Sequence, residues 1–198
     1  MDILDFTLES ITGRYGDLEA EILSVFPIDR VLTPDEVRGA HDTLPQAIAA
    51  DGWPTLGELR GRVIFSLLDS DAHREDYLDG ADNLEGRLMF VDSDSADDPF
   101  AAFFKINDAQ TDAAAVAELV IAGFVVTSNV DSAEDSDADN ADKLAASLAS
   151  GANFLSSDYP APVSDRDYWF DMTDGEPARC NPIRAPKDCT AADIEALP

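Results

Sequence analysis

With 198 residues and 45% hydrophobic content, the chain is long enough for one substantial core and too apolar to be wholly disordered. No run approaches the roughly 20 apolar residues of a membrane span, and the opening MDILDFTLES has neither the basic nor the apolar region of an export leader. The net charge of −28, from 41 acidic residues of which 30 are Asp against 13 basic residues of which 3 are Lys, repels nucleic acid and anionic membrane surfaces; a soluble, salt-adapted chain is expected, with no nucleic-acid partner and no transmembrane segment.

Apolar runs alternate with amphipathic stretches, the pattern of a parallel sheet covered by helices. Residues 3–9 read as a strand ending on the carboxylate of Glu9, followed by an amphipathic helix over residues 16–26. Thr33-Pro34-Asp35-Glu36 combines an N-cap Thr, a Pro at the first helical position and a Glu placed to close a capping box. Helical pieces at 44–50 and 55–59 lead to RVIFSLL at 62–68, apolar on both faces as a buried parallel strand is. A short helix at 75–78 and a strand at 88–91 precede the acidic loop DSDSADDP and a second apolar run at 101–106. Residues 113–121 are helical with Gly123 ending the helix, and 124–127 form another buried strand. Ala141, Leu144, Ala145 and Leu148 recur at helical spacing, Gly151 terminates that helix, and 153–156 make the last strand. The count is about five or six parallel core strands, against about eight in a closed barrel of alternating strands and helices.

Several constellations invite chemistry. Asp135, Asp137 and Asp139 repeat at two-residue spacing, but the sixth and twelfth positions of a calcium loop fall on Asn140 and Ala146 where Gly and Glu are needed, so a solvated helix start is expected. Asp69, Asp71 and His73 follow a buried strand, where a parallel fold builds its sites; they also read as an ordinary polar loop. His41 reads as a surface residue between helices. No nucleophile elbow and no Gly-rich phosphate loop is present. Cys180 and Cys189 lie in ARCNPIRAPKDC; a disulfide closing this small loop is favoured over zinc, which would need two more soft ligands. A disulfide implies an oxidising compartment, secreted or periplasmic.

Four segments occur in fixed order: EILSVFPIDRVLTPDEVRG, GWPTLGELRG, SLASGANFLSSDYP and ARCNPIRAPKDC. Together they resemble the later part of the bacterial calcium-dependent phosphoinositide-specific phospholipase C family. The resemblance implies a TIM-type barrel that cleaves a phosphodiester with one calcium ion and two histidines, which come from early strands upstream of anything present here. Residues 1–160 would then be the carboxy-terminal part of such a barrel, and 161–198 a tail packed on it. By the same resemblance Glu9 takes the place of a strand-end calcium ligand, and Asp158 and Tyr159 border the pocket. Where the family places arginines, this chain has Thr127, Ser128 and Asn129, and Asp135 further on; Ser128 and Asn129 join Asp158 and Tyr159 as candidate substrate-contacting residues. The expectation is a phosphoric diester hydrolase-like portion, inactive alone, for a phosphoinositide or other phosphodiester, completed by an amino-terminal half or a second chain. The alternatives are a non-catalytic acidic protein that holds calcium or a partner chain, and a folded relic.

Overall fold

The computed structural model describes residues 11–69, 72–172 and 178–195. The strand expected at 3–9, with Glu9, and Asp71 of the acidic triplet lie outside the described residues. Helices α1 (Tyr15–Val25), α2 (Pro34–Arg38), α3 (Leu44–Ala50), α4 (Leu56–Leu59), α5 (Ala72–Leu78), α6 (Ala113–Ala122), α7 (Asp137–Ser150) and α8 (Ala191–Glu195) alternate with short strands. The strands are β1 (Val31–Leu32), β2 (Val63–Ile64), β3 (Ser66–Leu67), β4 (Phe90–Val91), β5 (Phe103–Lys105), β6 (Val125–Asn129) and β7 (Phe154–Ser156).

Every pairing is parallel. β1 pairs with β2, β3 with β4, and β5 with β6, which pairs in turn with β7. β2 and β3 are two halves of one run broken only at Phe65, and a single parallel bridge, Asp92 to Phe103, joins β4 to β5. Six strand positions therefore follow one another in chain order, with helices in every connection except that from β4 to β5.

The helix ends obey local chemistry. Thr33, Thr43 and Thr55 each cap a helix by accepting the backbone N–H three residues on. The reciprocal box expected at Thr33 is not completed, because the Glu36 carboxylate turns to Arg62 instead, at 2.6 and 2.5 Å. The full box forms at Thr55, where Glu58 returns to the Thr55 N–H at 2.8 Å. Gly151 closes α7 at φ +84°, and a Cβ there would come within 2.6 Å of Ile183 Cδ1, so backbone shape and tail packing both demand glycine.

The core is centred on fully buried Val31, Leu44, Tyr77, Phe90, Val116 and Val126. β1 was not expected from the sequence: two residues between Pro27 and the capped Thr33 give no periodicity to read, yet both are buried. The run at 62–68 differs from expectation in burial. Val63, Ile64, Ser66 and Leu67 are only half-buried, and Val63 and Ile64 border a cavity.

Candidate functional site at the carboxyl ends of the strands

Register and pleat sort the side chains into two faces. Phe104 packs edge-on against Phe124, and Val126 and Ser128 are buried with it on the helix-covered side. Phe103 and Phe90 face the other way, where Trp53 contacts both rings at 5.8 and 5.5 Å. On that second face the amino half is apolar, with Ile64, Phe90, Phe103 and Phe154. The carboxyl half is polar: Ser66, Asp92, Lys105, Thr127, Asn129 and Ser156 fall there by register. A parallel α/β fold binds ligands at that end.

Two buried aspartates tie neighbouring strand ends together. Asp92, just after β4, accepts the Lys105 N–H of β5 at 2.7 Å. Asp131, just after β6, accepts the Asp158 N–H at 2.7 Å, the Ser157 hydroxyl at 2.5 Å and the buried Tyr168 hydroxyl at 3.0 Å. Burial pushes the Asp92 carboxyl above the usual aspartate range, while its backbone hydrogen bonds act in the opposite sense. Burial, then the bond to Asp131, pushes the Tyr168 phenol upward. Beside Asp92, Arg74 donates to the Asp92 carbonyl at 3.1 Å and to the Asp94 carboxylate at 2.5 Å, and that bond holds the Asp94 carboxyl below its usual range.

The raised Asp92 value has a signed consequence. A carboxyl whose folded pKa lies above its unfolded one costs stability as pH rises through the folded value, and costs nothing below the unfolded one. Asp92→Asn keeps an oxygen for the Lys105 N–H and is expected to raise the urea midpoint at pH 7. The gain is expected to vanish below the ordinary aspartate value of 3.8. Equal midpoint changes at pH 7 and pH 3 contradict this account.

The structure places each of the residues expected to border a pocket. Asn129 sits at the exposed end of β6, where its Oδ1 accepts the Ser156 hydroxyl at 2.5 Å. Asp158 Oδ2 accepts the Ala133 N–H at 3.2 Å. Tyr159 stacks edge-on with Tyr168 at 6.1 Å and carries the Arg166 guanidinium 4.7 Å above its ring. Ser128 is placed apart: it is 1% exposed on the helix-covered side, and its hydroxyl has no partner among the described residues. The tail supplies a cation beside Asp135, since Arg166 donates to the Asp135 carbonyl at 2.7 Å and the Ala133 carbonyl at 2.6 Å. Cys180 and Cys189 form the expected disulfide.

The histidines are held on separate partners. His41 Nε2 meets Asp51 Oδ2 at 2.8 Å, and His73 Nδ1 meets the Tyr15 hydroxyl at 2.7 Å with Asp69 Oδ2 3.8 Å from Nε2. Among the described residues, no three acidic, histidine or cysteine side chains converge as an ion cage requires.

Lys105, Asp92, Asp131 and Tyr168 escaped the sequence reading. Lys105 was legible as the one cation within the apolar run 101–106 read as a strand. The importance of Asp131 was not, because its partners are 26 to 37 residues away.

A parallel run of strands with a polar rim at its carboxyl ends defines an α/β protein of the kind that places its ligand sites at that rim. The chain belongs to the Ca2+-dependent phosphoinositide phospholipase C family, whose sequence model matches residues 5–182. A solved Ca2+-dependent phosphatidylinositol-specific phospholipase C from Streptomyces antibioticus matches with a TM-score of 0.50 at 18% identity, over 71% of this chain and 56% of that one. That likeness is one of fold, and the chain spans just over half the length of its solved relative. No curated protein matches.

Proposed function

We propose that the chain is the carboxy-terminal arc of a phosphoinositide-type phosphoric diester hydrolase, secreted or periplasmic, whose rim forms part of a phosphodiester pocket and which does not turn over alone. Membership of a calcium-dependent family supports the substrate class, and the polar carboxyl half of the inner face supports the location. In this reading Lys105 and Asn129 meet the anionic head group and Tyr159 offers a ring face to a sugar; Asp131 and Asp92 position the strand ends. Ser128 contributes behind the rim through β6, not by contact. General acid and base work needs two imidazoles converging on one phosphoryl centre. His41 and His73, each engaged with a different neighbour, are poorly placed for it. Glu9 is proposed as one calcium ligand, the others being supplied from elsewhere.

The test combines a phosphatidylinositol cleavage assay with titration of soluble inositol phosphate followed by NMR. No turnover with or without calcium is expected, together with weak saturable binding that Lys105→Glu weakens about tenfold by replacing attraction with repulsion. Calcium-dependent turnover by the chain alone sinks the incompetence, and absence of any Lys105-sensitive binding sinks the substrate rim.

One observation favours a second reading, an interaction module. β7 pairs on one side only with a described strand, and its Phe154 is 52% exposed. An edge of this kind accepts another strand, and a complementary chain is the occupant this reading names.

A further inference from the structure

At the opposite end of the strands lie two adjoining cavities of about 450 and 970 Å3, which meet at Leu56, Asn153, Phe154 and Arg184. Gly123, Phe124 and Asn153, which precede β6 and β7, line the smaller one and place it at the amino ends, away from the polar rim. Its walls are apolar, with Trp53, Leu56, Phe103, Val125 and Phe154. In a chain with 41 acidic residues, none of the described residues lining either cavity is acidic, and three are arginines: Arg62, Arg179 and Arg184.

The three arginines are not equivalent. Arg62 is neutralised by Glu36. Among the described residues, Arg184 and Arg179 donate to main-chain carbonyls, at Ile121 (2.8 Å) and Leu148 (3.5 Å), and neither meets a carboxylate. Arg184 is preset by its loop: the Cys180–Cys189 disulfide encloses it, and Asn181 Oδ1 accepts the N–H groups of Ile183 and Arg184. A guanidinium with donors to spare at the mouth of an apolar cavity matches an anionic head on an apolar stem. The smaller volume lies within the range of about 300–1,000 Å3 typical of small-molecule sites.

We infer that this end of the protein binds a single-chain amphiphile with an anionic head, its alkyl chain beside Trp53 and Phe154 and its head on Arg184 and Arg179. The site is independent of the proposed phosphodiester rim, so either can fail without the other.

The test uses Trp169→Phe, which leaves Trp53 as the only tryptophan of the two in the chain. Dodecyl phosphate and laurate, below their micellar concentrations, are expected to change Trp53 emission saturably. Arg184→Gln is expected to weaken both about tenfold by removing a charge-assisted bond. Arg184→Lys is expected to retain more affinity than the Gln variant. Leu56→Glu, at a side chain 55% exposed, introduces a repelling carboxylate and is expected to weaken binding similarly. Arg30→Gln, which removes a cation bonded to the Gly61 carbonyl and lining neither cavity, is expected to have no effect. No saturable Trp53 response overturns the inference. So does binding of neutral dodecyl maltoside as tight as that of the anions, with Arg184→Gln silent.

Discussion

Asp131→Ala is expected to lower unfolding stability by about 3 kcal/mol, a large share of the roughly 5–15 kcal/mol that holds a domain folded. The carboxylate is 5% exposed and accepts three donors, from Ser157, the Asp158 backbone and Tyr168. Each bond to a charged acceptor contributes about 1.5–3 kcal/mol, and only the two side-chain donors count, at the lower value, because Asp158 is exposed and its N–H regains water. Tyr168→Phe removes one of the three bonds and is expected to cost about 1.5 kcal/mol. The double variant is expected to cost less than the sum, since the two side chains share a bond. Asp158→Ala, whose carboxylate among the described residues accepts only the exposed Ala133 N–H, serves as the control and is expected to change little. Urea denaturation reads all four; an Asp131→Ala variant within about 0.5 kcal/mol of the parent refutes the strand-end clasp. Because Asp131 fixes the end of β7 relative to β6, the same variant is expected to disturb the Asn129 and Tyr159 resonances.

Removing the disulfide by Cys180→Ser together with Cys189→Ser is expected to cost about 2–3 kcal/mol, the loop-closure value for a link between residues 9 apart. The loss has a second reading at Gly151. The pinned loop holds Ile183 against the end of α7, and Asn181 donates to the Gly151 carbonyl at 2.7 Å. Gly151→Ala therefore meets a clash with Ile183 as well as an unfavourable φ of +84°. In the oxidised protein both penalties apply; after the cysteines are replaced the clash is relieved and only the backbone penalty is expected to remain. Thermal melts of the four combinations give the coupling. Additive losses would mean that the loop does not hold Ile183 in place.

Both effects lie at the junction between the tail and the strands, and that junction separates the two proposed sites. Arg166 and Tyr168 join the tail to the carboxyl rim, whereas Asn181, Ile183 and Arg184 join it to the amino ends. The tail reads as a strap along β7 and α7, holding the exposed β7 against the helices.

Much was readable from the chain alone, wherever the cause is local. The Thr33-Pro34 pair and the glycines at 123 and 151 fixed helix starts and ends to within a residue or two, because a cap needs only the backbone three residues on. Five of the expected apolar runs became strands, and the two cysteines, 9 residues apart, paired with each other. Order of strongly resembling segments identified the family, since composition and periodicity describe only the fold class. The acidic surface was likewise a property of sequence, independent of packing.

Tertiary structure decided the rest. Val31 and Leu32 became a strand only because the run at residue 63 lay alongside to receive them. Glu36 left its own helix start for Arg62, 26 residues away, since a bidentate ion pair outcompetes a second weak cap. Ser128 and Asn129, adjacent in sequence, were separated by the pleat, one into the helix layer and one onto the rim. Asp131 became the junction of β6 and β7 through partners 26 to 37 residues distant. Hydrogen-bond caps and apolar periodicity act over a few residues and are written in the sequence; face, register and the partners of a buried carboxylate are set by which distant segments the fold brings side by side.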